Sequence, residues 1–163
     1  MTSVTHTIDG LDALLARLGR LPDKVRRGVL RPALKAGAKT IAAAIAARAP
    51  VMTSRPYGPS KRHSSPGTLK GAVRVLAGRR KKGYVSMRAT LDAKSFAGVY
   101  FYAAPLTYGH KIVLPKRGGG SRALGRKTAP VPFIAAGFAA AEGAAASAVK
   151  AALGKGIEKA ARG

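Results

Sequence analysis

Apolar residues recur at helical spacing over three stretches of this chain and at every second position over shorter stretches between them. In LDALLARLGRLP, Leu11, Leu14, Leu15 and Leu18 share one helical face, and Gly19 and Pro22 close the segment. After Asp23, the run KVRRGVLRPALKAGAKTIAAAIAARAP sets Val25 and Val29 one turn apart and puts Leu30, Leu34, Ile41 and Ile45 on a second stripe. Arg26, Arg27, Arg31, Lys35, Lys39 and Arg48 lie mostly off those stripes, so a long amphipathic helix is predicted, ended by Pro50. Pro32 is expected to kink or split it, because proline removes one backbone hydrogen bond and crowds the preceding turn. Gly37, Ala38, Ala42 and Ala46 would allow close packing against a neighbour.

Period-two patterning predicts strands elsewhere. Val4 to Ile8 forms a short first one, followed by the turn signal Asp9-Gly10, where Asp9 is also an N-cap candidate. Val73 and Val75, then Tyr84, Ser86 and Arg88 against Val85, Met87 and Ala89, predict a hairpin tipped by Arg79, Arg80, Lys81 and Lys82. FAGVYFYAA is the next expected strand, with Tyr100 and Tyr102 on one face, Phe101 on the other, Pro105 at its end and Tyr108-Gly109 as a turn. Two spans, about 51–68 and 110–129, are rich in Pro, Gly, Ser and basic residues and are expected to be long mobile loops. Gly118 to Ser121 has the composition of a flexible linker. From Phe133 onward a C-terminal helix is predicted, with Phe133, Ile134, Phe138, Val149, Leu153 and Ile157 as its larger apolar residues. Its glycines each weaken an isolated helix by about 1 kcal/mol, so packing must hold it. The 163 residues are expected to form one α+β domain: a small, mainly antiparallel sheet packed by a long kinked helix, plus the C-terminal helix.

Charge changes this picture most. Lys and Arg number 30 against 6 Asp and Glu, a formal +24, and a compact domain so charged repels itself unless a polyanion lies nearby. Nucleic acid is the first candidate, an acidic membrane or acidic protein the second. Much of the 47% hydrophobic content is alanine and aromatics are 6%, so the core is expected to be thin and helix-rich. The absence of Cys excludes disulfides and thiolate metal sites. The start MTSVTHTIDG shows no secretory pattern, and no apolar run reaches membrane-spanning length.

Nothing in the residue pattern points to catalysis. His6, His63 and His110 have no metal-ligand spacing with one another or with a carboxylate. The six acids, Asp9, Asp12, Asp23, Asp92, Glu142 and Glu158, are scattered, and GPSKRHSS lacks the strand-turn-helix frame of a nucleophile elbow. RGGGSR lacks phosphate-loop spacing. No enzyme activity, cofactor or metal is therefore expected. The basic residues Arg79, Arg80, Lys81 and Lys82, with the looser set Lys111, Lys116, Arg117, Arg122, Arg126 and Lys127, are the candidates for facing DNA or another polyanion. No recognition helix, zinc finger or RNA-binding aromatic motif accompanies them. Tyr102, Tyr108, Gly109, His110, Pro132 and Phe133 are candidates for contacts between subunits.

The order of these segments resembles a known family. GLDALLARLGRLPDKV leads into ALKAGAKTIAAAIAARAPV, then come GTLKGAVRV, YFYAAPLTYGH and APVPFIAAGF opening a terminal helix. This order is similar to that of the neck or tail-completion proteins of long-tailed bacteriophages, a tail-component family first defined in a lambdoid phage, over about residues 8–160. Ala49-Pro50-Val51 and Gly67-Thr68-Leu69-Lys70 resemble the two ends of the family's APVDTGxLRxSI segment, with 52–66 as an insertion. Tyr102-Ala103 and Tyr108-Gly109 resemble its YAxxxEFGT, with Thr107 in place of the acid and His110 in place of the final Thr. Residues 129–134 resemble its PARPFLRPA. The resemblance implies a structural virion protein of the head–tail junction, a hexameric or dodecameric ring of identical subunits around the DNA channel. It also implies neck and tail-tube neighbours, and location in the virion after assembly in the host cytoplasm. Basic loops would then face passing DNA non-specifically, or acidic surfaces of neighbouring neck proteins. The rival reading is a free, non-specific nucleic-acid-binding protein.

Overall fold

A computed structural model of the chain describes residues 11–20, 22–51, 66–78, 85–96, 103–115 and 121–162. In chain order these form α1 (Leu11–Gly19), α2 (Asp23–Arg48), α3 (Thr68–Gly71), β1 (Val73–Ala77), β2 (Met87–Leu91), a 3-10 turn (Ala93–Phe96), α4 (Ala103–Tyr108), β3 (Lys111–Pro115), β4 (Ser121–Lys127) and α5 (Phe133–Arg162). The class is α+β, with a small two-stranded antiparallel sheet packed against the long helix α2 and a second long helix at the C-terminal end. By internal contacts the chain divides into two units.

The first unit takes residues 1–43, 75–90 and 140–163. Its core is Leu18 of α1, Val29 and Ala33 of α2, and Leu153 and Ile157 of α5, joined by Leu14, Leu30, Val149, Ala152 and Ala160. Small residues bring α2 and α5 together. A Cβ added at Gly37 would lie 2.5 Å from Val149 Cγ2, and one at Gly156 would lie 2.6 Å from Val29 Cγ1. The close approach expected at Gly37 is thus present, while Leu15, expected on the same face as Leu18, is 45% exposed. α2 continues through Pro32 as one helix and is not split there. Proline has no N–H to give the Gly28 carbonyl, so that acceptor lacks its ordinary helical partner. Asp23, at the first turn of α2, engages the guanidinium groups of Arg26 and Arg27 with its carboxylate.

The hairpin of β1 and β2 follows the alternation in the sequence. The Gly78 N–H donates to the Ser86 carbonyl at 2.9 Å and the Asp92 N–H to the Ala72 carbonyl at 2.8 Å, bonds that flank the ladder and run in opposite senses along the two strands. Val73 and Val75 are half-buried while Arg74 and Leu76 are exposed, and Met87 and Ala89 are half-buried while Arg88 is exposed.

The second unit takes residues 44–74 and 91–139, and its buried side chains include Ile45, Leu69, Phe96 and Phe133. Here several expectations are corrected. Thr68–Gly71, expected as loop leading into a strand, is a single helical turn that buries Leu69 to 1% exposure, entered through Gly67 at φ 81°. Of the FAGVYFYAA strand, Phe96 closes a 3-10 turn and Ala103 opens α4. Residues 97–102 lie outside the described residues. Pro105 therefore sits in the first turn of a helix, where N–H groups have no intrahelical acceptor and proline's missing donor costs nothing. The span 110–129, expected as a loop with a flexible linker, contains the antiparallel pair β3–β4. Cross-strand pairing outweighs the loop-like composition there. The expected first strand at 4–8 and the basic hairpin tip at 79–82 lie outside the described residues.

Candidate functional site

The Tyr-Gly-His corner is the C-terminal end of α4. Gly109 adopts φ 72°, the left-handed conformation that closes helices. A Cβ there would also stand 2.5 Å from the Thr128 carbonyl oxygen, so both backbone and space call for glycine. His110 and Thr128 are then tied by reciprocal bonds. The His110 N–H donates to Thr128 Oγ1 at 2.9 Å, the Thr128 N–H donates to the His110 carbonyl at 2.8 Å, and Thr128 Oγ1 lies 2.9 Å from His110 Nδ1. The Val131 N–H donates to the Leu106 carbonyl at 2.9 Å. Thr107, standing where the resembled motif has an acid, spends its hydroxyl on the Ala103 carbonyl within its own helix at 2.8 Å. The imidazole of His110 is exposed, and its Nδ1 lies within hydrogen-bonding distance of the Thr128 hydroxyl.

These bonds join two charge-free stretches. Residues 95–110 and 128–141 contain no Lys, Arg, Asp or Glu in a chain of formal charge +24. Among their described residues the exposed large apolar side chains are Tyr108 at 82%, Val131, Ile134 and Phe138. Ile134 and Phe138 stand one turn apart on α5. Pro132 is exposed, but Phe133 is 3% exposed, so as a subunit-contact candidate it is corrected. Tyr102 lies outside the described residues. Spacing alone does not mark Val131, Ile134 and Phe138 as surface residues, although a charge-free run in so cationic a chain is a signal that could find them.

Between the two uncharged stretches runs the β3–β4 hairpin. Its register pairs Lys111 with Lys127, Val113 with Ala123, Leu114 with Arg122 and Pro115 with Ser121, with a shift between Lys111 and Val113 that gives β4 two extra residues. Gly125, at φ 70°, falls in that bulge. Lys111, Arg126 and Lys127 are exposed, and Lys111 faces Lys127 across the ladder, an arrangement that like charges oppose unless an anion joins them. Arg122 has its backbone in β4, whereas Lys116, Arg117 and the tetrad Arg79, Arg80, Lys81 and Lys82 lie outside the described residues.

A second cationic feature belongs to the first unit, and sequence reasoning does not single it out as a site. Arg27, Arg31 and Lys35 follow one another at single-turn spacing on α2, on the side of the helix opposite the Val29–Ala33–Gly37 column that packs inward. With Gly28 and Pro32 they form one wall of a groove of about 670 Å³, and Val75 and Ala77 of β1 with Met87 of β2 form the other.

Among the described residues no cluster of His, Asp and Glu could hold a metal ion, and no helix is long and apolar enough to cross a membrane. No protein-family model, curated protein or solved structure matches this chain.

Proposed function

We propose that this chain is a structural subunit of a phage head–tail junction, closing with identical copies into a ring around the passage for DNA. The observation that carries the reading is the pairing, through the His110–Thr128 and Leu106–Val131 bonds, of two uncharged stretches that expose Tyr108, Val131, Ile134 and Phe138. Copies of a +24 chain meet most readily where neither brings a cation, and an apolar patch adds a favourable contact. The hairpin between those stretches presents Lys111, Arg126 and Lys127, suited to weak, sequence-independent attraction to phosphate along a channel. The order of motifs resembling the neck and tail-completion family supports the same reading. Head-to-tail contacts between identical subunits close into a ring when the rotation permits.

The test is electron microscopy of particles assembled with and without the chain. The reading expects filled heads with detached or over-long tails when it is missing, and a ring at the collar when it is present. Virions that lack the chain altogether, or particles that are normal without it, overturn the reading. The rival, a free nucleic-acid-binding protein, is favoured by the facing pair Lys111 and Lys127. It expects stable stoichiometric complexes with duplex DNA whose affinity falls steeply with salt, formed by the monomer.

A further inference from the structure

We infer that the groove between α2 and the β1–β2 sheet is a docking site for an acidic, partly apolar segment of a different protein. This inference stands apart from the ring: it concerns the first unit and needs no self-association.

Three features of the groove select that occupant. One wall carries three cations, Arg27, Arg31 and Lys35, one helical turn apart. Of these three, Asp23 reaches Arg27 alone, at 4.0 Å, and no described carboxylate pairs with Arg31 or Lys35. The facing wall is apolar, formed by Val75, Ala77 and Met87, with Met able to adapt to varied side chains. The third feature is backbone. Gly28 has no side chain, so its main chain lines the groove, and Pro32, also lining it, denies the Gly28 carbonyl its helical donor. A ligand with an N–H to give would satisfy that acceptor.

A segment with carboxylates at single-turn spacing on one side and aliphatic side chains on the other satisfies all three. Duplex DNA meets only the cations, since its backbone offers no apolar face to lay on Val75 and Met87. Single-stranded nucleic acid binds by stacking on aromatic side chains, and no described aromatic residue lines this groove. A second copy of this chain fits no better: it has 6 acids against 30 Lys and Arg, and nowhere do three of those acids follow one another at helical-turn spacing. The occupant is therefore another, acidic protein.

The test uses the full chain and a fluorescent helical peptide with glutamates one turn apart along one face and leucines along the other, followed by anisotropy at physiological salt. Nothing lies within 4 Å of a Cβ built at Gly28, so Gly28→Leu puts bulk into the groove from an unobstructed Cβ and without changing charge. Saturable one-to-one binding is expected. It should weaken about tenfold or more in Gly28→Leu, in Arg31→Gln/Lys35→Gln, and with glutamine replacing glutamate in the peptide. The equal charge loss Lys155→Gln/Lys159→Gln, on exposed positions of α5, should leave affinity within about twofold. Circular dichroism melts confirm that each variant is folded. The inference is overturned if Gly28→Leu binds the peptide as the parent does, if the α5 variant loses as much as the groove variant, or if duplex DNA but not the peptide becomes sensitive to Gly28→Leu.

Discussion

Along α2, cations recur once per turn beside an apolar strand face, whereas from α4 to the start of α5 the charge is confined to residues 111–127 and the two flanking stretches have none. The first surface has the chemistry to attract an acidic partner. The second has the chemistry to tolerate a copy of itself. Long-range repulsion among 30 basic side chains acts on every approach, so where the charge is missing matters as much as where it is dense.

Core truncation should break the comparison most severely. Phe96, 2% exposed in the second unit, should cost about 3–5 kcal/mol as Phe96→Ala, and Leu153, equally buried in the first, about 2–5 kcal/mol as Leu153→Ala. Urea unfolding would measure both. If either loss were under about 1 kcal/mol, that side chain would not be packed as described.

A smaller effect separates two glycines with similar backbone. Gly109→Ala meets both the left-handed φ and the Thr128 carbonyl, and should destabilise by about 1–3 kcal/mol while loosening the corner that joins the uncharged stretches. Gly125→Ala meets only the φ, with nothing within 4 Å, and should cost about 1–2 kcal/mol. Thermal melts of the two variants would rank them, and a Gly125 variant as damaged as the Gly109 variant would deny the corner its special place. The gentlest substitution sharpens the comparison further. Phe138 is 47% exposed, so Phe138→Ser should shift monomer stability by no more than about 0.5 kcal/mol yet lower the association state seen in sedimentation. Unchanged sedimentation would remove Phe138 from any contact between copies.

Regular elements with strong periodicity are legible in the residue pattern itself. α1, α2, the β1–β2 hairpin and α5 all follow from apolar spacing, and Gly37 announces close packing. The region from residue 96 to 129 is not legible in the same way. Ala103–Tyr108, expected as the end of a strand and a turn, forms a helix, and a stretch rich in Gly, Arg and Lys contains the β3–β4 pair. Such segments take their conformation from partners distant in sequence: His110 from Thr128, Leu106 from Val131 and β3 from β4. The groove is hidden for a related reason. Spacing puts Arg27, Arg31 and Lys35 off the apolar stripes of a helix, but a column of cations is ordinarily just a solvated face.

From the sequence alone come the charge, the places without charge, the long helices and the exclusion of thiol chemistry, because each depends on residue type or on spacing within one element. Tertiary structure alone decides that Phe133 is core while Phe138 is surface, that the Gly109 corner is stapled to Thr128, and that the basic column of α2 faces Val75 and Met87. Those outcomes depend on which faces meet, and contacts between residues far apart in the chain leave no periodic mark in either partner.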